Sequence, residues 1–174
     1  MIWFYIFLLA RGGYITYLWR VLGRKTRANI SHSRFKTVAS WLMNIDALVL
    51  IIAIFQSSNQ IVADFPWLIR SIGVALAIFG LVIKFLAFRV LGSDGYHWRD
   101  FFLKVSQPMK PKAAGIYKYI KNPMYGFGYL PAYGWALINL SISGLIMAAL
   151  AQASILTFSY FVERPHFKKI YQID

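Results

Sequence analysis

The chain has 174 residues, of which 59% are hydrophobic, 18% aromatic and only 14% charged, where a soluble domain carries roughly 25% charged residues. That balance excludes a soluble globular enzyme, a disordered chain and a coiled coil, and the absence of Cys excludes a disulfide scaffold, a thiolate metal site and a cysteine nucleophile. The net charge of +13, from 19 Lys and Arg against six Asp and Glu, reads either as a nucleic-acid footprint or as membrane topology, and the position of the charges decides.

Taken in order, apolar stretches occupy about residues 1–20, 41–56, 66–90, 124–140 and 144–162, each near the ~20 residues that cross ~30 Å of hydrocarbon. The fold class expected is therefore an all-α integral membrane protein with about five transmembrane helices. The first stretch is interrupted by Arg11-Gly12-Gly13, which puts a charge at mid-membrane and leaves this segment re-entrant or interfacial as the alternative to spanning. Met1 is followed at once by Ile-Trp-Phe-Tyr with no basic n-region, which argues against a signal peptide.

The charges lie between these stretches. Arg20, Arg24, Lys25, Arg27, Arg34 and Lys36 follow the first; Arg99, Lys104, Lys110, Lys112, Lys118 and Lys121 follow the third; Arg164, Lys168 and Lys169 follow the fifth. The connections at Ser57 to Phe65 and Leu140 to Ser143 hold one acid, Asp64, and no base. Basic and uncharged connections alternate, so the positive-inside rule puts the basic ones in the cytoplasm and the N-terminus outside. The basicity is topological, with attraction to anionic lipid, and nucleic acid is not an expected partner. One domain is expected over 1–174: N-terminal spans over 1–90, a cytoplasmic active-site segment over 91–123, and a helical hairpin with its tail over 124–171.

Asn122-Pro123 reads as a helix start, Asn as the cap and Pro at the first position, with the fourth span beginning at Met124. This span and the fifth, which ends near Glu163-Arg164-Pro165, form a tight hairpin that brings Asn122 and Glu163 to the same membrane side. Its first turn offers free N–H groups to an anion, and Gly126 and Gly128 allow a ligand close to the backbone. Helix packing is the ordinary use of such glycines. Tyr125, Tyr129 and Tyr133, spaced by four, share a face that serves as an interfacial belt or holds a sulfonium or ammonium cation. Glu163 is a functional acid or an interfacial partner of Lys168 or Arg164. His97 and Asp100, three apart among aromatic rings, share a face if that stretch is helical. Asp46 and Lys84 would be a polar pair lining a path if the chain were a non-catalytic membrane protein.

Three runs now carry a resemblance: Asp94-Gly95-Tyr96-His97-Trp98-Arg99-Asp100-Phe101-Phe102-Leu103; Asn122-Pro123-Met124-Tyr125-Gly126-Phe127-Gly128-Tyr129 with Tyr133-Gly134 behind it; and Val162-Glu163-Arg164-Pro165-His166-Phe167-Lys168-Lys169-Ile170-Tyr171. In this order the sequence resembles the membrane phospholipid methyltransferases over roughly residues 85–171. The nearest likeness is to the fungal-type phosphatidylethanolamine N-methyltransferases of the first methylation, and a more distant one is to the isoprenylcysteine carboxyl methyltransferases. Two positions depart from the family pattern: Asn122 stands where His often precedes the Pro, and Arg164 stands in place of a second acid.

The resemblance implies that S-adenosylmethionine binds at the cytoplasmic end of the hairpin, held by Asn122, Pro123, Met124, Tyr125, Gly126, Gly128, Glu163 and His166. It implies methyl transfer to the amine of phosphatidylethanolamine, towards phosphatidylcholine, with another lipophilic acceptor such as a prenylcysteine carboxylate or a small thiol as the alternative. Asp100, then His97 and Glu163, are the catalytic candidates, because a primary ammonium titrates near ~10 and must lose a proton first. Tyr96, Trp98, Tyr129, Tyr133 and Lys121 are the candidates for contact with the lipid. No metal is expected, the oligomeric state is left open, and the membrane is bacterial inner membrane or endoplasmic reticulum.

Overall fold

The computed structural model describes residues 2–23, 30–103 and 114–171, so the basic residues Arg24, Lys25, Arg27, Lys104, Lys110 and Lys112 lie outside the described residues. The described residues form six α-helices and no strand: α1 Ile2–Leu22, α2 His32–Gln56, α3 Pro66–Tyr96, α4 Leu130–Ile138, α5 Ile142–Phe158 and α6 Arg164–Tyr171. Three helical stretches, His32–Gln56, Pro66–Phe101 and Ile142–Ile170, are long and apolar enough to cross a membrane. Their outward faces carry Trp41, Ile45, Leu48, Phe79, Phe85 and Leu150, all exposed, as a lipid-facing surface requires. The protein is an all-α membrane protein.

Two expectations need correction. The first segment is not broken at Arg11-Gly12-Gly13, since α1 runs unbroken for 21 residues. Arg11 is buried within the bundle, while Gly12 and Gly13 face open space. Its Nη1 donates to Asp46 Oδ2 of α2 at 2.7 Å, Nη2 to the Tyr129 hydroxyl at 2.7 Å and to the Ala151 carbonyl, and Nε to Ser154 Oγ at 2.8 Å. Asp46 is therefore paired with Arg11 and not with Lys84, which lies on an exposed part of α3 beside Gly128.

The second correction concerns the span expected over 124–140. Its helical part is only the nine residues of α4, too short to cross alone. Residues 122–129 form successive tight turns, closed by Gly126 N–H to Asn122 O at 3.0 Å, Gly128 N–H to Pro123 O at 2.8 Å and Tyr129 N–H to Gly126 O at 3.2 Å. Irregular backbone at membrane depth survives only where protein satisfies it. Gln152 of α5 does so, its Nε2 donating to the Tyr125 and Gly126 carbonyls at 2.9 and 3.1 Å.

Helix α4 crosses α3 at Gly73 and Gly134, where a Cβ built on Gly134 would sit 2.4 Å from the Gly73 carbonyl oxygen and 2.7 Å from Ala77 N. Both obstacles are backbone, so no side-chain motion relieves them. Gly134→Ala is expected to destabilise the protein by about 1–3 kcal/mol as the helices part. A lowered thermal midpoint in detergent reads this out, and an unchanged one would refute the crossing.

Two apolar clusters fill the bundle, one around Leu18, Phe35, Trp98 and Phe158, the other around Phe7, Ile54, Ala136 and Met147. The Arg11–Asp46 pair lies between them. At one end the uncharged connections bond to each other: Asn59 N–H to Asn139 O at 2.8 Å, Gln60 N–H to Leu140 O at 2.9 Å, and Ser57 Oγ to Ser141 Oγ at 2.7 Å. The ends bearing Lys36, Arg99 and Arg164 lie at the other, which agrees with the alternation of charged and uncharged connections.

Candidate active site

The chain leaves α3 through two unusual residues. Gly92 adopts φ +69°, ψ 171°, which breaks the helix, and Trp98 adopts φ +54°, in the left-handed region that costs a non-glycine residue about 1 kcal/mol or more. Between them the chain resumes one helical turn to Tyr96, and at the left-handed Trp98 neighbouring side chains diverge. The His97 ring turns to α2, with Nδ1 2.7 Å from the Ser93 carbonyl and Nε2 2.8 Å from Ser40 Oγ. The Trp98 indole turns into the bundle, meets Phe35 and Phe158 edge-on, and donates its N–H to Glu163 Oε1.

Glu163 reaches this point because α5 does not continue as a plain α-helix. Residues Ser159–Glu163 form a π-helical turn, a widening often found at functional sites, before α6 resumes. The acid is 5% exposed. Its Oε1 also accepts from the Tyr125 hydroxyl at 2.6 Å, and the Ser159 hydroxyl gives a further hydrogen bond. Tyr117, in the short 3₁₀ turn Gly115–Lys118, lies close enough to feel the Glu163 charge; burial first, then that charge, push its phenol up to about 12, so it stays a neutral donor.

Trp98, expected at the lipid, is brought together with Tyr125 and Glu163, both expected at the donor. His97 is not brought to Glu163 and does not share a helix face with Asp100, because the reversal at Trp98 separates them. Asp100 sits in the 3₁₀ turn Arg99–Phe101, where its carbonyl lies 3.4 Å from His166 Nε2, and the His166 ring stacks on Phe101 at 3.8 Å. Asn122 does not cap a helix, since its carbonyl closes a turn and α4 begins eight residues later with Pro131 in its first turn. Pro123 and Met124 are buried under that turn. At Gly126 and Gly128 a Cβ would meet the chain's own Asn122 and Pro123 carbonyls at 3.1 and 3.2 Å, so the tight turn itself calls for glycine there.

The three tyrosines split their duties. Tyr125 serves Glu163, Tyr129 accepts from Arg11, and Tyr133 donates to Gln152 Oε1 at 2.8 Å. Tyr96 donates to Met43 Sδ at 3.2 Å, and Lys121 is exposed. Tyr117, Ser159 and Arg11 were missed as neighbours of the site. Ser159 stands four residues before Glu163, the one hint present in the sequence.

Residues 68–174 match the sequence model of the family described as Phospholipid methyltransferase. The chain is 36% identical over 101 residues to the phosphatidylethanolamine N-methyltransferase of Aspergillus fumigatus, a stretch covering 58% of this chain and 11% of that protein. It is 30% identical over 120 residues to the protein of that name from Scheffersomyces stipitis, covering 67% and 14%, and 27% identical over 142 residues to that of Lodderomyces elongisporus, covering 79% and 16%. The chain thus spans between about a tenth and a sixth of the length of these curated relatives. No solved structure matches it significantly.

Proposed function

The chain belongs to the phospholipid methyltransferase family, and on that premise we propose that it transfers methyl groups from S-adenosylmethionine to the amine of phosphatidylethanolamine at the cytoplasmic membrane interface. The observation that carries this reading is the convergence of the three runs: Trp98 of the first and Tyr125 of the second both bond Glu163 of the third, across 65 and 38 positions. The names of the fungal relatives supply the amine acceptor.

The residues fit such a donor in kind. A buried carboxylate suits the amino group or ribose hydroxyls, and the Trp98, Tyr125 and Phe158 rings suit a sulfonium. When bound, S-adenosylmethionine supplies an electrophilic methyl group, which an uncharged amine attacks in line. The protein's part is then to hold two reactants in register in a dry site. Glu163 already accepts from Trp98, Tyr125 and Ser159, which makes it a positioning acid and a poor proton acceptor. We assign proton removal to the segment that carries His97 and Asp100, which flank the Trp98 turn.

The test is to incubate the purified protein, in nanodiscs containing phosphatidylethanolamine, with methyl-labelled S-adenosylmethionine and to identify labelled lipids by mass. Asp100→Asn is expected to lower the rate by about 10²-fold or more if its carboxylate takes the proton. Label in mono-, di- or trimethylated lipid supports the reading. Donor binding without labelled lipid would move the acceptor to a prenylcysteine or thiol, and no donor binding would end the proposal.

A further inference from the structure

Helix α2 carries a feature that neither the Glu163 site nor the bundle core uses. Ser33, Thr37, Ser40 and Asn44 recur at intervals of four, three and four, so they form one stripe along a helix whose neighbouring exposed residues, Val38, Trp41, Ile45 and Leu48, are apolar. With Lys36 and Trp41 they line a groove of about 450 Å³. From Ser33 to Asn44 the stripe runs about 16 Å, which takes it from the helix's charged end to well inside the hydrocarbon.

Polar groups on an exposed face at that depth are costly unless something satisfies them. Thr37 and Ser40 return their hydroxyls to the carbonyls of Ser33 and Lys36, at 3.1 and 2.7 Å. The Asn44 carboxamide has no hydrogen-bond partner among the described residues. The rim is cationic: Lys36 Nζ and Arg99 Nη1 share one carboxylate, Asp94, at 2.9 and 3.0 Å, leaving one net positive charge and spare N–H donors. The inner wall is Ser40, whose hydroxyl meets His97 Nε2, and the next residue along the chain, Trp98, bonds Glu163.

We propose that this groove seats the head group and glycerol backbone of a membrane phospholipid, with its phosphodiester on Lys36 and its ester region against Thr37 and Asn44. The occupant must bring an anion to Lys36 and Arg99, an acceptor to the Asn44 amide and to hydroxyls that otherwise return to the helix's own carbonyls, and apolar chains to Trp41, Ile45 and Leu48 beyond. A phospholipid arriving sideways from the bilayer carries all three in that order, whereas a soluble phosphate matches only the rim. An ethanolamine ammonium on such a lipid would also find Asp94, beside His97. The assignment rests on the lipid-methylating reading for its meaning, though not for its measurement.

The test uses the whole protein in nanodiscs of phosphatidylethanolamine and phosphatidylcholine, with Lys36→Gln, Thr37→Leu/Asn44→Leu, and Thr157→Leu on the exposed face of α5 as a control. Leucine suits a lipid-facing helix, so the double variant should fold; its helical circular dichroism and thermal midpoint check this. Native mass spectrometry counts phospholipid retained on release, and the KM for phosphatidylethanolamine is measured where turnover exists. Lys36→Gln and the double variant are each expected to lose retained phospholipid and raise KM about tenfold, the scale of one bond to a charged phosphate for the first and of one or two neutral hydrogen bonds for the second, with the control unchanged. Wild-type retention and KM in a folded double variant would overturn the groove while leaving methylation standing. Retention lost in the variants from a protein that methylates nothing would uphold the groove and remove the proposed reaction.

Discussion

Glu163→Gln is expected to lower kcat/KM for methyl transfer by about 10²–10³-fold, with most of the loss appearing in donor affinity. Glutamine keeps the volume of the side chain, so the packing around Phe158 and Val162 has no reason to change. What changes is polarity at a point where every neighbour is a donor. Trp98 N–H and the Tyr125 hydroxyl both donate to Oε1 and the Ser159 hydroxyl adds a third bond; an amide oxygen there accepts without the charge, and its NH2 end turns from acceptor to donor. Hydrogen bonds to a charged acceptor contribute about 1.5–3 kcal/mol each, so losing the charge weakens the cage and any cationic or hydroxyl group of the donor held there. Two such contacts at the lower end of that scale, about 3–4 kcal/mol together, convert to the stated range. Tyr125→Phe deletes one hydrogen bond without touching the charge, and about a tenfold effect is expected. The measurement is donor binding by calorimetry beside initial rates, on protein whose thermal midpoint is known. Full donor affinity in folded Glu163→Gln would remove the acid from the site.

That the run over 122–125 lies near Glu163 was legible because a helical hairpin returns its second end to the level of its first; that Trp98 bonds the same acid was not, since nothing in the sequence turns its indole away from the lipid. The alternation of basic and uncharged connections was legible for a similar reason: bilayer physics acts on charge counts that a sequence displays directly. Asn122-Pro123 misled, because a capping signal is local while the outcome was decided elsewhere. Gly126, Gly128 and Pro131 weaken the helix that should follow, and Gln152, on another element, satisfies the carbonyls that the irregular path exposes. His97 could not be placed either. Its direction depends on the left-handed backbone at Trp98, a conformation that tryptophan does not announce. Arg11 and Asp46 each stood out as charges inside apolar stretches, but the sequence gives no register between α1 and α2 and so could not join them.

That pair supplies the second large effect. Arg11→Met is expected to destabilise the protein by about 3–5 kcal/mol, as is Asp46→Leu, whereas Arg11→Met/Asp46→Leu should recover most of the loss. Bringing two charges together in a low-dielectric interior costs much of what their attraction returns, so replacing both by apolar groups of similar size is nearly neutral. Removing one strands the other. Stranding is severe here because Asp46 Oδ1 already lacks a partner among the described residues, which leaves the Arg11 contact through Oδ2 as the carboxylate's whole compensation. Arg11→Lys should not rescue: a single ammonium cannot replace a planar fork that reaches Asp46, Tyr129, Ser154 and the Ala151 carbonyl at once. The cycle is read from unfolding midpoints of the four proteins in one detergent, and purely additive single effects would show that the two charges do not act as a pair. Tyr129 ends the irregular turn that carries Tyr125, so Arg11→Met should also loosen the Glu163 site, seen as a rise in KM for the donor beyond what Asp46→Leu produces. The apolar double variant separates the two roles, because it restores the fold without restoring the Arg11 donor to the Tyr129 hydroxyl.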